Sequence, residues 1–348
     1  MKRYIIIGSL MILFLSSLIL PTISITYSQT QPLITVTAVP PLYAIYLSFI
    51  GDGFVDVKNP MPPGVDPHTY EPTPEVISSA VNSDLVIVDV IGHLPIASKL
   101  IEAAKERGVK YLVIYDELIK RGWKPLNKSS GAPDIHIEFD LNATLLFIDI
   151  ARDAITAILR EKLSNDMARF MQISSSINAS ADTLKRIVEN SYQYARSKVS
   201  GLEGVALYSI VSLYLVRSIG IDPVYTLLEE PDQEPTPGAL VDLRNSNAKC
   251  ILVLEGMEEY SDRVLSEIES MGVKPVIVNI REAMLAGAPY IAPVLVASAL
   301  ENSCTGSQSS EAGASQTLNI ATYALLAYSI AVSIALIYII YKRASMRR

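Results

Sequence analysis

The chain contains few of the side chains that most often carry chemistry. Its 348 residues include two cysteines, three histidines and one tryptophan. No CxxC pair is present, which argues against a thiolate zinc site and against a thioredoxin-like redox site. The formal net charge is −7 and no long block of lysine and arginine occurs, so we expect no nucleic-acid partner.

Signatures of catalysis are also missing. The patterns GxSxG, GxxxxGK[ST], HExxH and GxGxxG do not occur in the sequence. These patterns mark an exposed nucleophile, a phosphate loop, a zinc peptidase site and a dinucleotide site respectively. We therefore predict that the protein is not an enzyme.

The two cysteines lie in different settings. Cys250 is part of the apolar run AKCILVLEG, and Cys304 is part of the polar run ENSCTGS. We expect Cys250 to be buried, Cys304 to be exposed and the two thiols to remain separate. A disulfide, which an extracellular compartment permits, is the alternative.

The first residues have the features of a secretory signal. Lys2 and Arg3 precede a mostly apolar segment, residues 4–20, and small residues follow it. This order predicts a signal peptide over residues 1–28. The apolar segment is long for a signal, so an uncleaved anchor is the alternative.

A second uncharged segment lies near the C-terminus. Residues 320–341 carry no charged side chain and are numerous enough to cross ~30 Å of hydrocarbon as a helix. Lysine and arginine follow directly, and basic flanks stay in the cytoplasm. We predict a transmembrane helix over residues 318–341 and a cytoplasmic tail over residues 342–348.

The segment before this helix is rich in serine, glycine and threonine, which predicts a flexible linker over residues 303–317. The rest of the chain is then outside the cell, where sequons at Asn127, Asn142 and Asn178 are available for glycosylation. An anchoring helix in place of a lipid suggests an archaeal cell surface.

Short apolar segments alternate with helical patterns through the middle of the chain. Strands are predicted at residues 33–39, 54–60, 85–90 and 111–116, and again at 204–210, 224–228, 250–256 and 275–280. Continuous apolar strands that alternate with helices indicate parallel sheets covered on both faces. We predict an α/β fold with two Rossmann-like lobes, residues 33–162 and residues 200–302.

The lobes are connected by a long helical segment, residues 163–199. Residues 165–199 contain neither glycine nor proline, which favours one long helix joining the two lobes. Two helices broken within residues 174–178 are the alternative, because SSSIN is poor in helix formers.

Five polar residues follow predicted strands or precede predicted helices, where open α/β sheets bind ligands. They are His68, His136, Ser209, Glu255 and Asn279. Imidazole binds Zn, Mn and related metals in its neutral form, so these residues predict a divalent metal site in a cleft between the lobes. For each histidine alone, a hydrogen-bonded loop residue is the alternative. We interpret His93 as the cap of the next helix, with a role at the cleft as the alternative.

Three motifs resemble the zinc- and manganese-binding solute-binding proteins of ABC importers, the ZnuA/TroA-like family. PPGVDPHTYEPTP, with His68, is similar to the Pro-Gly-x-x-Asp-Pro-His-x-Tyr-Glu-Pro-Thr stretch of that family. PDIHIEFDLNATL, with His136, is similar to its Asp-Pro-His segment, and EEPDQEPTPGALVDL to its Glu-Pro-Thr-Pro segment. The resemblance covers residues 33–300 and implies two α/β lobes joined by one long helix, with a metal bound between them.

The resemblance also exposes differences. The family supplies histidine or glutamate where this chain has Ser209, and aspartate where it has Asn279. Its acidic, histidine-rich loop is absent. A site of neutral ligands lacks charge compensation for a divalent cation. Glu255 matches a glutamate of the family and is the carboxylate that we expect to substitute.

The resemblance implies a substrate-binding protein that carries Zn or Mn to an ABC permease and its ATPase. The two terminal segments predict that this protein is extracellular and anchored in the membrane. We expect it to be a monomer. A receptor of the same fold for a metal chelate or another ligand, and a surface protein with a vestigial metal site, are the alternatives.

Overall fold

The structure is a computed structural model that describes residues 31–62, 65, 70–128, 130–231 and 233–304. The predicted signal peptide, transmembrane helix and cytoplasmic tail lie outside these residues, as does His68. Among the helices that are described, none is both long and apolar enough to span a bilayer.

The described residues form two compact units. The first unit contains the chain up to Pro125 together with Asn142–Val188, and the second contains Leu126–Leu141 and the chain from Glu189 onwards. The segment Leu126–Leu141, which carries His136, therefore packs with the second half of the chain, although the predicted first lobe, residues 33–162, included it.

The first unit is built on a parallel sheet with the strand order β2-β1-β3-β4. Its elements are β1 (Ile34–Ala38), α1 (Pro41–Ile50), β2 (Val55–Lys58), α2 (Pro74–Ala80), β3 (Leu85–Val88), α3 (Pro95–Arg107), β4 (Lys110–Val113), α4 (Ile114–Lys120), α5 (Leu141–Lys162) and the first part of α6 (Met167–Lys198). All four residues of β3 are buried, as expected for an inner strand of a parallel sheet.

The second unit repeats this arrangement with the strand order β6-β5-β7-β8, again parallel. Its elements are β5 (Val205–Ser209), a 3-10 turn (Ile210–Ser212), α7 (Leu213–Ser218), β6 (Tyr225–Leu228), α8 (Pro237–Asn245), β7 (Cys250–Glu255), α9 (Asp262–Ser270), β8 (Lys274–Asn279), α10 (Arg281–Leu285), a 3-10 turn (Pro289–Ile291) and α11 (Ala292–Cys304). The prediction of two α/β lobes with parallel sheets is confirmed.

Each unit has a separate apolar core. In the first unit, Val86 and Val88 of β3 pack with Leu100 of α3. In the second unit, Ile251 and Val253 of β7 pack with Ile268 of α9. Burying apolar surface at about 25 cal/mol per Å² is the main stabilising contribution to each unit.

The same Glu-Pro-Thr-Pro sequence starts one helix in each unit. The Thr73 hydroxyl accepts a hydrogen bond from the Val76 amide at the start of α2, and the Thr236 hydroxyl accepts one from the Ala239 amide at the start of α8. A proline follows each threonine at the first helical position, where its missing N–H costs nothing. Both helices therefore begin where this motif places them.

The connecting helix α6 is continuous for 32 residues, so the prediction of one long helix is confirmed, and the alternative of two helices broken within residues 174–178 is not what forms. Its buried hydrophobic residues form one stripe at spacings of three and four; they are Ile173, Ile177, Ala181, Leu184, Val188, Tyr192 and Ala195. The hydroxyl of Ser176 donates to Asp52 and that of Ser174 donates to the Met171 carbonyl. Burial of this stripe outweighs the weak helix propensity of SSSIN.

The strand predicted at residues 111–116 is shorter than expected. β4 ends at Val113 and α4 begins at Ile114. Ile114 and Leu118, four positions apart, are both buried, and the Tyr115 ring contacts Trp123 edge-on at a centroid distance of 5.8 Å. The composition of this segment alone is typical of a strand, but its buried residues have helical spacing, and the segment from Ile114 onwards is a helix.

The expectation of separate thiols was wrong. Cys250 at the start of β7 forms a disulfide with Cys304, with a Cα–Cα distance of 5.6 Å. Cys304 is the last residue of α11 and is buried, although it lies two residues into the predicted linker of residues 303–317. The alternative allowed by an extracellular compartment is therefore the correct one.

Candidate metal centre

His136 lies in the loop before α5 and belongs to the second unit. Its ring is buried, and its Nδ1 lies 2.8 Å from Oδ1 of Asp134, which also accepts the His136 backbone N–H at 3.1 Å. A carboxylate on Nδ1 orients the ring and favours the tautomer that carries its proton on Nδ1. Asp134 is fully buried, and its second oxygen has no hydrogen-bond partner among the described residues.

Two tyrosines hold this loop in place. The Tyr214 hydroxyl donates to the Asp134 carbonyl at 3.0 Å and accepts from the Leu126 amide at 2.9 Å. The Tyr192 hydroxyl donates to the carbonyl of Phe139, whose φ is +66°. A left-handed conformation at a buried phenylalanine is strained. The hydrogen bonds from Tyr192 of α6 and Tyr214 of α7 to this loop maintain that conformation.

Ser209 ends β5 and is completely buried. Its hydroxyl donates a hydrogen bond to Oε2 of Glu258, and Oε1 of Glu258 accepts the backbone N–H of Leu254. The pair therefore joins the carboxyl ends of β5 and β7, two strands that are adjacent in the sheet. The resemblance to the family implied a histidine or glutamate at the position of Ser209.

Glu258 is a buried carboxyl group with a raised pKa. Its burial raises its pKa from 4.5 to about 7, against the opposing effect of hydrogen bonds from Ser209 and from the backbone. A carboxyl group buried without a cation favours its neutral form. The group can therefore carry either charge state close to neutral pH.

Glu255 and Asn279 are opposite one another in the register of β7 and β8. Glu255 is half-buried, and Asn279 is exposed, with its side-chain oxygen accepting the backbone N–H of Arg281 at 3.0 Å. An exposed amide that caps its own turn offers a metal only a neutral carbonyl oxygen.

The predicted ligands are thus brought together in part. Glu255 and Asn279 are partners in the register of β7 and β8, whereas Ser209 contacts Glu258, which was not among the predicted ligands. Within the described residues, neither His136 nor Glu255 belongs to a group of three or more His, Cys, Asp or Glu side chains whose ligand atoms all lie within 4.8 Å of one another. The position of His68 lies outside the described residues.

His93, in the first unit, is not a helix cap. The N-cap position of α3 is Leu94, with no side-chain hydrogen bond. The Nδ1 of His93 instead lies 2.8 Å from Oδ2 of Asp89, and Asp89 is the residue that directly follows β3. The interpretation of His93 as a cap is therefore wrong.

Sequence reasoning missed the carboxylates that hold these groups. Asp89 and Asp134 precede their histidines by four and by two positions, as the motifs DVIGH and DIH record. Glu258 follows β7 by three positions in LEGMEEY. The sequence shows only that each of these acidic residues is close to a polar residue or to a predicted strand. Their role as partners depends on burial, and burial cannot be predicted from spacing alone.

Known structures share this architecture. FpvC from Pseudomonas aeruginosa in complex with Mn²⁺ has a TM-score of 0.60 and 18% identity, over 78% of this chain and 99% of that one. The periplasmic zinc-binding protein TroA from Treponema pallidum has a TM-score of 0.59 and 15% identity, over 78% and 99%. ZnuA has a TM-score of 0.57 and 19% identity, over 78% and 99%. At such identities the likeness shows the fold.

No match was found among curated proteins. The sequence profile of the family described as "ZnuA: Zinc-uptake complex component A periplasmic" matches residues 35–291, which is most of the chain and includes both sheets. The family is one of substrate-binding components of uptake complexes, not of enzymes. The chain therefore belongs to the ZnuA family of zinc-uptake complex components.

Proposed function

We propose that the protein is the metal-binding receptor of an ABC importer. It binds a divalent transition metal, Zn²⁺ or Mn²⁺, as its transported ligand and delivers it to a permease driven by an ATPase. It acts as a monomer at the outer surface of the cell, held to the membrane by the segment 318–341.

One observation carries the proposal most directly. This chain matches the family, its His136 lies in a segment similar to the Asp-Pro-His segment of the family, and the Nδ1 of His136 is held by the buried carboxylate of Asp134. Such a carboxylate raises the basicity of the imidazole and directs Nε2 towards a metal. FpvC and TroA, which share the fold, are described with Mn²⁺ and with zinc respectively. His68, in the longest of the three motifs, is the proposed partner ligand.

The second unit also offers the negative charge that Ser209 and Asn279 lack. Glu258 lies against Ser209, so a carboxyl group occupies the position that serine alone leaves neutral. Glu255 is a second carboxyl group at the same sheet edge, at the end of β7. A cation drawn to this edge stabilises the ionised form of Glu258 and lowers its pKa.

Calorimetric titration of the full-length chain, purified in a mild detergent, tests the proposal. We expect one Zn²⁺ or Mn²⁺ per chain, and Asp134→Asn is expected to weaken binding by about 10- to 100-fold because the imidazole loses its orienting carboxylate. Asp242→Asn, which makes the same chemical change at an exposed position on α8, is the matched control.

Binding only above the millimolar range, or equal affinities for Asp134→Asn and Asp242→Asn, would contradict the proposal. A second candidate ligand, a metal chelate, is favoured by the neutral Ser209 and Asn279. Native mass spectrometry distinguishes the two, because a chelate adds the mass of an organic ligand that a bare cation does not.

A further inference from the structure

We propose that the outer edge of strand β4 is a docking surface for an extended, acidic peptide segment of a partner protein, which adds a strand to the sheet. The surface consists of β4 and the sides of α3 and α5 that face it, and all three elements belong to the first unit. It contains none of the proposed metal ligands, so the inference is independent of the proposed function.

β4 lies at the end of its sheet. In the order β2-β1-β3-β4, its partner among the described strands is β3 alone. An edge strand presents a row of unpaired N–H and C=O groups on its outer side. Such a row binds an extended peptide through main-chain hydrogen bonds, and the peptide then becomes a further strand of the sheet.

The helices α3 and α5 flank this edge on opposite faces of the sheet. Successive residues of a strand point to opposite faces, so Lys110 and Tyr111 lie on different sides. Nζ of Lys110 lies 2.5 Å from Oε1 of Glu161 in α5. On the other side, Nζ of Lys105 in α3 lies 5.7 Å from the centroid of the Tyr111 ring. The space beside β4 is therefore bounded by a helix on each face, as the space for a further strand would be.

A groove of about 620 Å³ occupies this space. Its lining contains two lysines and is otherwise apolar apart from Gly108 and Tyr111, whose side chain is 39% exposed. The small side chains of Ala154 and Ala157 on α5 leave room for larger groups. Aliphatic side chains at alternate positions of a bound strand would fill this room and bury apolar surface.

The charge beside the groove favours an acidic peptide. Lysine on an edge strand guards against unwanted pairing, but the charge of Lys110 is compensated by Glu161. Lys105 makes no ion pair within the part of the chain that the structure describes, where its contact is the Tyr111 ring. A carboxylate of a bound strand therefore has Lys105 as a partner, whereas a basic peptide is repelled. An anionic lipid matches this charge but leaves the backbone groups of β4 unpaired.

Peptide binding to the full-length protein in a mild detergent tests the inference. The probe is a fluorescein-labelled synthetic peptide in which valine and glutamate alternate, and fluorescence anisotropy measures its affinity. We expect this peptide to bind, and to bind more tightly than one in which valine and lysine alternate. Hydrogen exchange measured by mass spectrometry gives the location, because the amides of Lys110–Val113 that point outwards become protected only when a strand pairs with them.

Two variants with matched controls provide the second readout. Ala157→Gln places a longer side chain in the groove and should weaken binding of the valine–glutamate peptide by about 10-fold or more. Ala179→Gln, the same change at an exposed position of α6 outside the groove, should leave the affinity unchanged. Lys105→Gln should weaken binding by about 2- to 5-fold, the range for an exposed ion pair. Lys124→Gln, at an exposed position outside the groove, should not.

Each contrary result assigns the surface differently. If the valine–glutamate peptide leaves the exchange of β4 unchanged, or if both peptides bind equally, the inference is overturned. Protection of β4 by phosphatidylglycerol added to the detergent, but not by the peptide, would identify a lipid surface instead. A dimer detected by light scattering, with β4 protected in the absence of peptide, would identify a second copy of the chain as the occupant. The proposed metal site is unaffected by any of these results, because Ala157→Gln should bind Zn²⁺ as the wild type does.

Discussion

At the scale of single residues, the protein uses buried carboxylates to fix polar groups that follow its strands or lie in the loop before α5. Asp89 holds His93, Asp134 holds His136, and Glu258 accepts from Ser209. Each carboxyl group is nine-tenths or more buried, so each is more strongly coupled to its partner than a surface pair would be. A substitution at any of the three carboxylates should therefore affect the partner more than the surrounding fold.

The perturbed Glu258 predicts how stability depends on pH in the metal-free protein. Its folded pKa of about 7 lies above the ordinary value of 4.5, so between these values the folded state retains a proton that the unfolded state has lost. The contribution of Glu258 to the free energy of unfolding is therefore complete below pH 4.5 and is lost as the pH rises through 7. The loss is about 3 kcal/mol at about 1.4 kcal/mol per pKa unit.

Urea denaturation at a series of pH values checks this prediction. Glu258→Gln should lack the corresponding slope, because glutamine does not titrate. Glu259→Gln, the same chemical change at the next and exposed residue, should keep it. A pH dependence of Glu258→Gln that equals that of the wild type would show that Glu258 does not make this contribution.

At the scale of secondary-structure elements, the long helix α6 depends on its buried stripe. Ile177 is completely buried and lies inside the segment where propensity favours a break. Ile177→Ala should lower the free energy of unfolding by about 2–5 kcal/mol through lost burial and a cavity. Ser175→Ala, at an exposed position of the same turn, should change it by less than about 0.5 kcal/mol. Equal effects of the two changes would mean that local propensity, not packing, maintains the helix.

The disulfide connects two elements that are distant in sequence. Cys250 and Cys304 enclose a separation of 54 residues between the start of β7 and the end of α11. On the chain-entropy estimate, a loop of this length contributes about 4 kcal/mol. The double variant Cys250→Ala, Cys304→Ala should therefore lower the melting temperature of the second unit, and dithiothreitol should lower that of the wild type but not of the variant. An unchanged melting temperature in the double variant would show that α11 is held by packing alone.

At the scale of the whole molecule, sequence composition predicts where the protein resides. A chain that ends after Thr317 lacks the apolar segment of residues 318–341 and its basic flank. We expect the truncated protein to be secreted into the medium, while the full-length protein remains with the membrane fraction. Immunoblotting of the two fractions measures this. A truncated protein that stays with the membrane would indicate that the N-terminal apolar segment is an uncleaved anchor.

Much of the architecture was predictable because it depends on local patterns. Apolar runs such as the four residues of β3 predicted the strands. The helix ends follow local signals as well: Gly108, in a left-handed conformation, ends α3, and Glu-Pro-Thr-Pro precedes α2 and α8. The residues of α6 were predicted as one helix for the same reason. The helix α4 was missed because its apolar residues alone are typical of a strand.

The sequence by itself determined the two parallel sheets, the long helix, the family and the histidine motifs, because periodicity, capping and short motifs are local properties. Only the tertiary structure decided that Leu126–Leu141 belongs to the second unit, that Cys250 pairs with Cys304, and that Asp89, Asp134 and Glu258 are buried against their partners. These features depend on which distant segments come together and on how far water is excluded from them. Burial is what changes an ordinary carboxyl group into one that orients a ligand or shifts its own pKa.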